Sequence, residues 1–288
     1  MISPAGERNQ AYGLIAPATL ALAGVAAYPV LASGWLSLHR LILVFREQRF
    51  VGLTNYATLL GDARFWSALA HTSSFAGIAV SIELAVGLAF ALLLDGVGRG
   101  KSILRAAVLV PWAMPTVISA KIWAYLLNPE SGAFGRLLPG VDWLGTPVDA
   151  MAAAILLDVW KTTPFVALLL LAGLQSIPAP VYEAARVDGA SAWMTFWRVK
   201  IPLVRTSILI ALLFRTLDAF RVFDSIYVLT QGGPANATET LSIYTFKTMM
   251  RSGDFGYGST LAVATFLCIA LISIIYLGVF RAGFGERA

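Results

Sequence analysis

Residues 178–202 read P-A-P-V-Y-E-A-A-R-V-D-G-A-S-A-W-M-T-F-W-R-V-K-I-P, a polar, charged stretch between two strongly apolar segments. Pro180 suits the first helical position, where a missing N–H costs nothing, and Glu183 is expected in the first turn, where a carboxylate complements the helix dipole. Gly189 can supply the positive φ that ends a helix and reverses the chain. A second helix is predicted over residues 191–198, where aromatic and basic residues occur together as they do at a membrane–water boundary. The stretch is therefore predicted to be a helical hairpin lying on a membrane face.

The composition of the chain is that of a membrane protein. Its 288 residues are 58% hydrophobic and 13% charged, which is about half the charged fraction of a soluble domain. Apolar runs of about twenty residues are long enough to cross roughly 30 Å of hydrocarbon. We predict an all-α, polytopic single domain over residues 1–288, with six spans at about 12–38, 67–94, 104–127, 150–175, 203–230 and 257–280.

The basic residues outside these spans bear on orientation. The formal net charge of +5 is a topology signal and not a sign of nucleic-acid binding, because basic residues in such proteins mainly mark the cytosolic side. An N terminus on the inside places slightly more Lys and Arg residues on the cytosolic side than on the outer side. Both termini and the hairpin at 178–202 are therefore predicted to be cytosolic.

Charged side chains lie deep within the predicted spans and are the candidates for a translocation path: Glu83, Asp158, Lys161, Arg215, Asp218, Arg221 and Asp224. The last four form a ladder of alternating sign at three-residue spacing on one helix. Each charge at a span centre costs about 3 kcal/mol, so that four charges facing lipid would cost on the order of 10 kcal/mol. These residues are therefore expected to face the bundle interior or a water-filled cavity.

Two interpretations of these charges remain open at this point. They can line a path for the substrate, or they can form ion pairs that fix the packing of the helices. Asp158 and Lys161 are neighbours on one helix face and could form such a pair. Arg215 could pair with Asp218 in the same way.

No motif for catalysis or metal binding accompanies the charges. The glycine-rich segment 95–102 lacks the first glycine of a P-loop and lies between two membrane spans, so we interpret it as a cytosolic turn, and any ATP must be hydrolysed by another chain. His39 and His71 have no partners at ligand spacing, and the single cysteine, Cys268, can form neither an intrachain disulfide nor a thiolate cluster. We predict no catalytic residue, no metal and no cofactor in this chain.

Prolines and one outer segment are expected to have structural effects. Pro111 and Pro115 in the third span and Pro164 in the fourth free backbone carbonyls, and they can be hinges or packing features. The first outer segment, residues 39–66, interleaves aromatic residues with Gly and Asn. It is expected to fold at the outer interface in a structural role.

The hairpin resembles a known signature. Glu183-Ala184-Ala185 is followed after three residues by Gly189 and, after nine more, by Val199-Lys200-Ile201-Pro202. This pattern resembles the EAA signature of ABC-importer permeases. The resemblance implies that the hairpin docks into a groove of an ATPase subunit, with Glu183 in a polar contact and the two alanines permitting close approach. The coupling residues that it implies are Glu183, Ala184, Ala185, Asp188, Gly189 and Pro202.

The end of the fifth predicted span extends the resemblance. Residues 220–234 follow the F-x-x-F-D-x-I-Y-V-L-T-x-G-G-P run of carbohydrate importer permeases of the maltose, glycerol-phosphate and trehalose kind. With W-K-T-T-P-F at 160–165, the chain is most similar to the first permease of actinobacterial trehalose importers. It lacks the large outer domain that some maltose permeases carry. The resemblance implies a type I ABC importer permease fold in a bacterial plasma (inner) membrane.

The same resemblance implies partners and a substrate. The partners would be a second homologous permease, two ATP-binding subunits that hold ATP and Mg²⁺, an external sugar-binding (lipo)protein, and membrane lipid. The substrate would be a carbohydrate, such as the disaccharide trehalose. Aromatic side chains in the spans are candidate contacts for it: Trp123, Tyr125, Trp160, Phe220, Phe223 and Tyr227.

An ion-coupled secondary transporter is the alternative function, because intramembrane Asp and Glu residues can relay protons. Such a protein would transport its substrate without an ATPase. It usually carries internal repeats, and the sequence shows no convincing repeat.

Overall fold

A computed structural model describes residues 4–98 and 100–284 of the protein, and the side chains of residues 12–98 and 100–280. Arg99 and the chain ends, on which the predicted orientation partly depends, lie outside the described residues. The described chain is helical apart from one short β-hairpin and its loops, which confirms the predicted all-α class.

The elements follow one another along the chain with short connections. They are α1 (Pro4–Ser37), β1 (His39–Ile42), β2 (Glu47–Phe50), α2 (Thr54–Gly61), α3 (Ala63–Gly96), α4 (Lys101–Ala113), α5 (Thr116–Leu126), α6 (Ala133–Leu137), α7 (Pro147–Gln175), α8 (Ala179–Val187), α9 (Ala192–Thr195), a π-helical turn (Phe196–Lys200), α10 (Ile201–Phe220), α11 (Asp224–Leu229), α12 (Leu241–Phe246), a second π-helical turn (Lys247–Arg251) and α13 (Phe255–Phe284). Strands β1 and β2 pair in antiparallel register.

Within the described residues, four helices are long and apolar enough to cross a membrane. They are α1 from Tyr12 onward, α3, α7, and α13 as far as Phe280. These helices coincide with the predicted first, second, fourth and sixth spans. The start of α7 follows from its sequence, because Thr146 accepts a hydrogen bond from the backbone N–H of Asp149 and Pro147 occupies the first turn.

The third predicted span, residues 104–127, is not one helix. It is divided into α4 and α5, which are bent by 87° with respect to each other. Pro115 cannot donate a backbone hydrogen bond, and Met114 before it has the extended conformation (ψ 141°) that a following proline favours. Pro115 therefore breaks the helix, whereas Pro164 lies inside an uninterrupted α7.

The fifth predicted span, residues 203–230, is likewise divided and is not a single helix. Helix α10 ends at Phe220, and α11 begins three residues later at Asp224. At its other end α10 continues from α9 through the π-helical turn 196–200. With three charged residues in twenty, α10 is not identified as a span by length and apolarity alone.

The chain forms two compact units. The first comprises Met1–Asp62 with Thr245–Leu267, and the second comprises Ala63–Tyr244 with Cys268–Ala288. In the first unit the Asn55 side-chain amide donates to the carbonyl oxygens of Ser37 (2.8 Å) and His39 (3.0 Å). The Tyr56 and Ser37 hydroxyls lie 2.7 Å apart. These bonds agree with the structural role predicted for the first outer segment.

The core of the second unit forms where α3, α7 and α10 meet. Its buried apolar side chains include Ala91, Leu94, Val166, Leu170, Leu174, Val204 and Ala211. Glycines let the helices approach closely, because a Cβ atom at Gly87 would lie 2.7 Å from Val166 Cγ1, and one at Gly173 would lie 2.3 Å from Ser207 Oγ. The α3–α7 and α7–α10 contacts therefore depend on these two positions having no side chain.

We expect Gly87→Val to weaken the α3–α7 contact, because the new methyl groups would overlap Val166. Overpacking of this kind costs about 1–3 kcal/mol, so the melting temperature of the purified protein in detergent should fall. Gly77→Val is the matched control on the same helix, because no atom lies within 4 Å of a Cβ built there. Equal losses of stability in the two variants would contradict the packing role of Gly87.

Candidate functional site

A buried ion cluster forms around Arg215 of α10. Its Nε and Nη2 atoms donate to the two carboxylate oxygens of Glu83 on α3, at 2.6 and 3.0 Å. Nη2 also donates to Asp158 on α7 at 2.9 Å, and Nη1 donates to Asp218 on α10 at 2.5 Å. The Thr162 hydroxyl lies 2.8 Å from Glu83 Oε1. One guanidinium group thus connects three helices.

The geometry of this cluster follows from the chemistry of its groups. The Arg215 side chain is only 3% exposed and that of Glu83 is fully buried, and buried charges are stable only when they are paired and hydrogen-bonded. A guanidinium group presents donors in a planar fork that fits a carboxylate with two parallel bonds. Of the pairs considered from the sequence, Arg215–Asp218 is confirmed.

The predicted Asp158–Lys161 pair does not form in the described structure. Asp158 is bound by Arg215, and Lys161 Nζ instead donates to the carbonyl oxygen of Met114 at 2.6 Å. That carbonyl lies at the break between α4 and α5, which occurs at Pro115 because a proline has no backbone N–H. The Lys161 ammonium group therefore binds backbone carbonyls at the C-terminal end of α4, which carry the negative end of the helix dipole.

The predicted ladder of four charges on one helix is also corrected. Arg215 and Asp218 belong to α10, but Arg221 follows the end of that helix and Asp224 begins α11. Arg221 Nη2 lies 3.7 Å from Asp218 Oδ1, and both side chains are more than 60% exposed (64% and 61%). The turn at 221–223 thus separates the outer two charges from the buried cluster.

A cavity of about 410 Å³ lies beside the ion cluster. Its lining includes three aromatic side chains and three charged ones: Trp112, Phe165, Phe214, Arg215, Asp218 and Arg221. Trp112 and Phe165 stack with ring centroids 5.9 Å apart and planes 17° apart. A smaller cavity of about 180 Å³ shares Asp218 and Arg221 and is also lined by Asp158, Lys161 and Asp224. Aromatic faces next to hydrogen-bonding groups can bind a polar, uncharged molecule.

The aromatic residues chosen from the sequence only partly reach these cavities. Phe223 lines the smaller one, and Tyr227 stacks on Phe223 at 5.2 Å without lining either. Phe220 is buried and lines a third cavity of about 350 Å³ with Thr216 and Tyr276. Trp112 and Phe214, which line the cavity beside the ion cluster, are not among the aromatic residues predicted from the sequence, although the position of Trp112 between Pro111 and Pro115 is a signal in the sequence.

The hairpin at 178–202 has the turn that its sequence predicts. Gly189 has φ +71°, and the N–H groups of Ala190 and Gly189 donate to the carbonyl oxygens of Ala185 and Arg186. These two bonds are the Schellman arrangement that ends a helix with a left-handed residue. The Ser191 hydroxyl then accepts a hydrogen bond from the Met194 N–H and begins the next helix.

Two details of the hairpin differ from the prediction. Helix α8 begins at Ala179, so Glu183 is its fifth residue and lies beyond the first turn. Helix α9 is not a separate short helix that ends before Pro202, because it continues into α10 through the π-helical turn 196–200. A proline ring clashes with the carbonyl four residues before it in a regular α-helix, and the wider turn before Pro202 relieves that clash.

The hairpin exposes an apolar and charged surface. Glu183, Ala184 and Asp188 are exposed, whereas Ala185 is buried against the rest of the chain. Large apolar side chains are also exposed on it: Val187, Trp193, Met194 and Trp197. A cavity of about 580 Å³ beside Glu183 is lined by charged residues of both signs and by Tyr182, whose buried hydroxyl has no hydrogen-bond partner among the described residues. Such a surface is suited to contact with another protein.

Comparisons with known proteins agree with these features. Residues 83–282 match the sequence model of a family described as binding-protein-dependent transport system inner membrane component. The trehalose/maltose transport system permease protein MalF of Thermococcus litoralis is 44% identical over 280 residues, 96% of this chain and 95% of its own length. The trehalose transport system permease protein SugA of Mycobacterium tuberculosis is 42% identical over 278 residues, 96% of this chain and 90% of its own.

Solved structures agree on the fold. A chain of a bacterial alginate ABC transporter, in complex with an alginate pentasaccharide-bound periplasmic protein, superposes with a TM-score of 0.83 at 20% identity, over 96% of each chain. A chain of the MetNI methionine ABC transporter superposes with a TM-score of 0.58 at 17% identity, over 75% of this chain and 94% of its own. These likenesses confirm the predicted type I permease fold.

We expect Arg215→Met to destabilise the protein strongly, because it leaves Glu83 and Asp158 buried without their cation. Breaking a buried pair from one side costs about 3–5 kcal/mol, which thermal unfolding in detergent would detect. Arg221→Met is the control, because that side chain is exposed. Adding Glu83→Gln and Asp158→Asn to Arg215→Met should restore part of the loss. Equal stability of the Arg215 and Arg221 variants would refute the role of the cluster.

Proposed function

The chain belongs to the family of binding-protein-dependent transport system inner membrane components, and we propose that it forms the substrate path of an ATP-driven importer of a disaccharide such as trehalose. Two relatives at 44% and 42% identity are named as permeases for trehalose and maltose and for trehalose. A relative at 36% identity is named as a permease for sulfoquinovosyl glycerol, which is also a sugar derivative. Nothing in these comparisons favours an ion-coupled secondary transporter.

The observation that carries the substrate proposal is the aromatic pair of Trp112 and Phe165 in the cavity beside the ion cluster. Asp218 also lines this cavity. A sugar ring has apolar C–H faces that pack on aromatic rings and hydroxyl groups that need hydrogen-bond partners. The cavity volume of about 410 Å³ lies within the range of roughly 300–1,000 Å³ that is usual for small-molecule sites. The cavity therefore suits an uncharged carbohydrate in both chemistry and size.

We divide the intramembrane charges between the two interpretations by their burial. Glu83, Asp158 and Arg215 are buried and bound to one another, so we assign them to helix packing. Asp218 and Arg221 are largely exposed to the cavities, so we assign them to the path. Lys161 and Asp224 line the smaller cavity and not the one beside Trp112, so we assign them to the edge of the path.

We further propose that the hairpin formed by α8 and α9 couples this chain to an ATPase subunit. Glu183 would make a polar contact with that subunit, Ala184 would allow close approach, and Asp188 with Gly189 would form the turn. Their exposure and the cavity beside them support this role. Pro202 lies where the hairpin joins α10. ATP and Mg²⁺ would be bound by the partner ATPase subunits, and this chain would contribute no ATPase site.

The assembly proposed for this chain has four further members. They are a second homologous permease, two ATP-binding subunits and an external sugar-binding protein. The family description names a binding protein and an inner membrane, and the structure of the alginate transporter includes a periplasmic protein. Both termini of this chain would be cytosolic, because the hairpin must face the ATPase.

Removing the aromatic ring at Trp112 should weaken sugar transport. In the reconstituted importer, Trp112→Ala is expected to raise the KM for trehalose about tenfold, the equivalent of about 1.4 kcal/mol of lost stacking. Trp112→Phe keeps an aromatic face and should stay within about twofold of the wild type. Unchanged transport by the alanine variant would exclude this ring as a sugar contact. Failure of the wild-type complex to import any disaccharide would refute the proposed function.

A substitution at Gly189 tests the coupling role. Gly189 has φ +71°, and a residue with a Cβ atom pays about 1–2 kcal/mol in this left-handed conformation. The cost is greater for valine, because it is β-branched. Gly189→Val should therefore distort the turn and reduce sugar-stimulated ATP hydrolysis by the assembled complex. Gly189→Asn is the matched control, since asparagine tolerates the left-handed conformation. Co-purification of the ATPase should fall in parallel. Wild-type stimulation in the valine variant would contradict coupling through this turn.

A further inference from the structure

The β1–β2 hairpin has an apolar tip that the proposed transport function does not use. Leu43, Val44 and Phe45 connect the strands, and they are 55%, 71% and 76% exposed. The next residue, Arg46, turns the chain with φ +52°. Three consecutive exposed apolar side chains at a turn mark a contact with something outside the chain.

The base of the hairpin is bonded to the end of α1. Strand β1 begins at His39, two residues after α1 ends at Ser37. The N–H of Val51, just after β2, donates to the Leu38 carbonyl oxygen at 2.9 Å and closes the base. Helix α1 is long and apolar enough to cross a membrane, and the candidate span ends at Ser37.

The tip of the hairpin is bonded to the start of α13. The Leu43 N–H donates to the Gly253 carbonyl oxygen at 2.9 Å, and Ile42 forms a bridge with Asp254. Helix α13, which begins at Phe255, is also long and apolar enough to cross a membrane. The base and the tip of the hairpin are therefore each bonded beside the end of a helix that is long and apolar enough to cross a membrane.

The hairpin also carries an excess of cations. Arg40 and Arg49 are direct cross-strand partners, and like charges in that arrangement repel each other. Glu47 binds Arg40 at 3.1 Å, whereas Arg46 and Arg49 form no ion pair with any described residue. A guanidinium group is well suited to bind phosphate. An external anion near Arg49 would relieve the repulsion.

We propose that the hairpin at residues 39–50 is a lipid-binding element that inserts Leu43, Val44 and Phe45 into the membrane surface while Arg46 and Arg49 bind the phosphate groups of anionic phospholipids. An apolar tip with cations beside it matches the boundary between acyl chains and headgroups. Arginine can place its apolar stem along the acyl region and its charge among the headgroups. A lipid partner follows from the bonds to both span ends, which hold the tip where lipid is present.

The first test measures the surroundings of the tip in the complete importer complex. This chain has a single cysteine, so Phe45→Cys in a Cys268→Ala background, assembled with cysteine-free partner subunits, would carry one environment-sensitive fluorophore in vesicles containing phosphatidylglycerol. We expect blue-shifted emission that spin-labelled lipid quenches and aqueous iodide does not. Leu271→Cys, at an exposed position within the apolar helix α13, is the control for a label inside a candidate span. Iodide quenching would overturn the proposal, and so would shifted emission that neither reagent quenches, which would indicate a protein partner.

The second test measures whether the hairpin prefers anionic phospholipid to neutral phospholipid. Quenching of the same label by spin-labelled phosphatidylglycerol is compared with quenching by spin-labelled phosphatidylcholine. Each arginine against an anionic surface should contribute about fivefold to the preference, so Arg46→Gln with Arg49→Gln should remove most of it. Arg40→Gln is the control, because Glu47 already binds that side chain. An unchanged preference in the double variant would refute the binding of anionic lipid.

Discussion

The second compact unit depends on the pairing of Arg215 with Glu83 and Asp158 in an apolar interior. None of the three side chains can remain charged there without the others, because the desolvation of a lone ion costs far more free energy than the packing of one residue contributes. Since the partners lie on α10, α3 and α7, the requirement for pairing fixes the mutual positions of three helices. Gly87 and Gly173 allow the helices to approach closely enough for the bonds to form.

The break in the third predicted span and the larger cavity have a common origin. Pro115 interrupts the helix, and Lys161 binds the carbonyl group that the interruption leaves at Met114. The end of α4 is thereby held against α7, where Trp112 stacks on Phe165. The proposed sugar contact therefore depends on a backbone break that would otherwise leave polar groups unsatisfied within the membrane.

One continuous helical segment connects the exposed hairpin to the ion cluster. It runs through α9, the π-helical turn and α10, from residue 192 to residue 220, a distance of about 40 Å at 1.5 Å per residue. Asp218, near its far end, lines both cavities. Coupling between two sites requires a physical connection with discrete arrangements. This segment supplies the connection, so a displacement of the hairpin can be transmitted along it to the proposed path.

Features that depend on neighbouring residues can be predicted from the sequence. Apolar length predicts the four long helices, Gly189 predicts the turn of the hairpin, and the cost of burying charge predicts that Arg215 lies in the interior. The packing of the helices sets which groups those charges meet, where α10 ends and which aromatic rings share a cavity. Glu83 and Arg215 are 132 positions apart, and no spacing rule along the chain specifies the distance between two helices. Lys161 bound a carbonyl and not its neighbour Asp158, because a group brought close by folding had already satisfied that carboxylate.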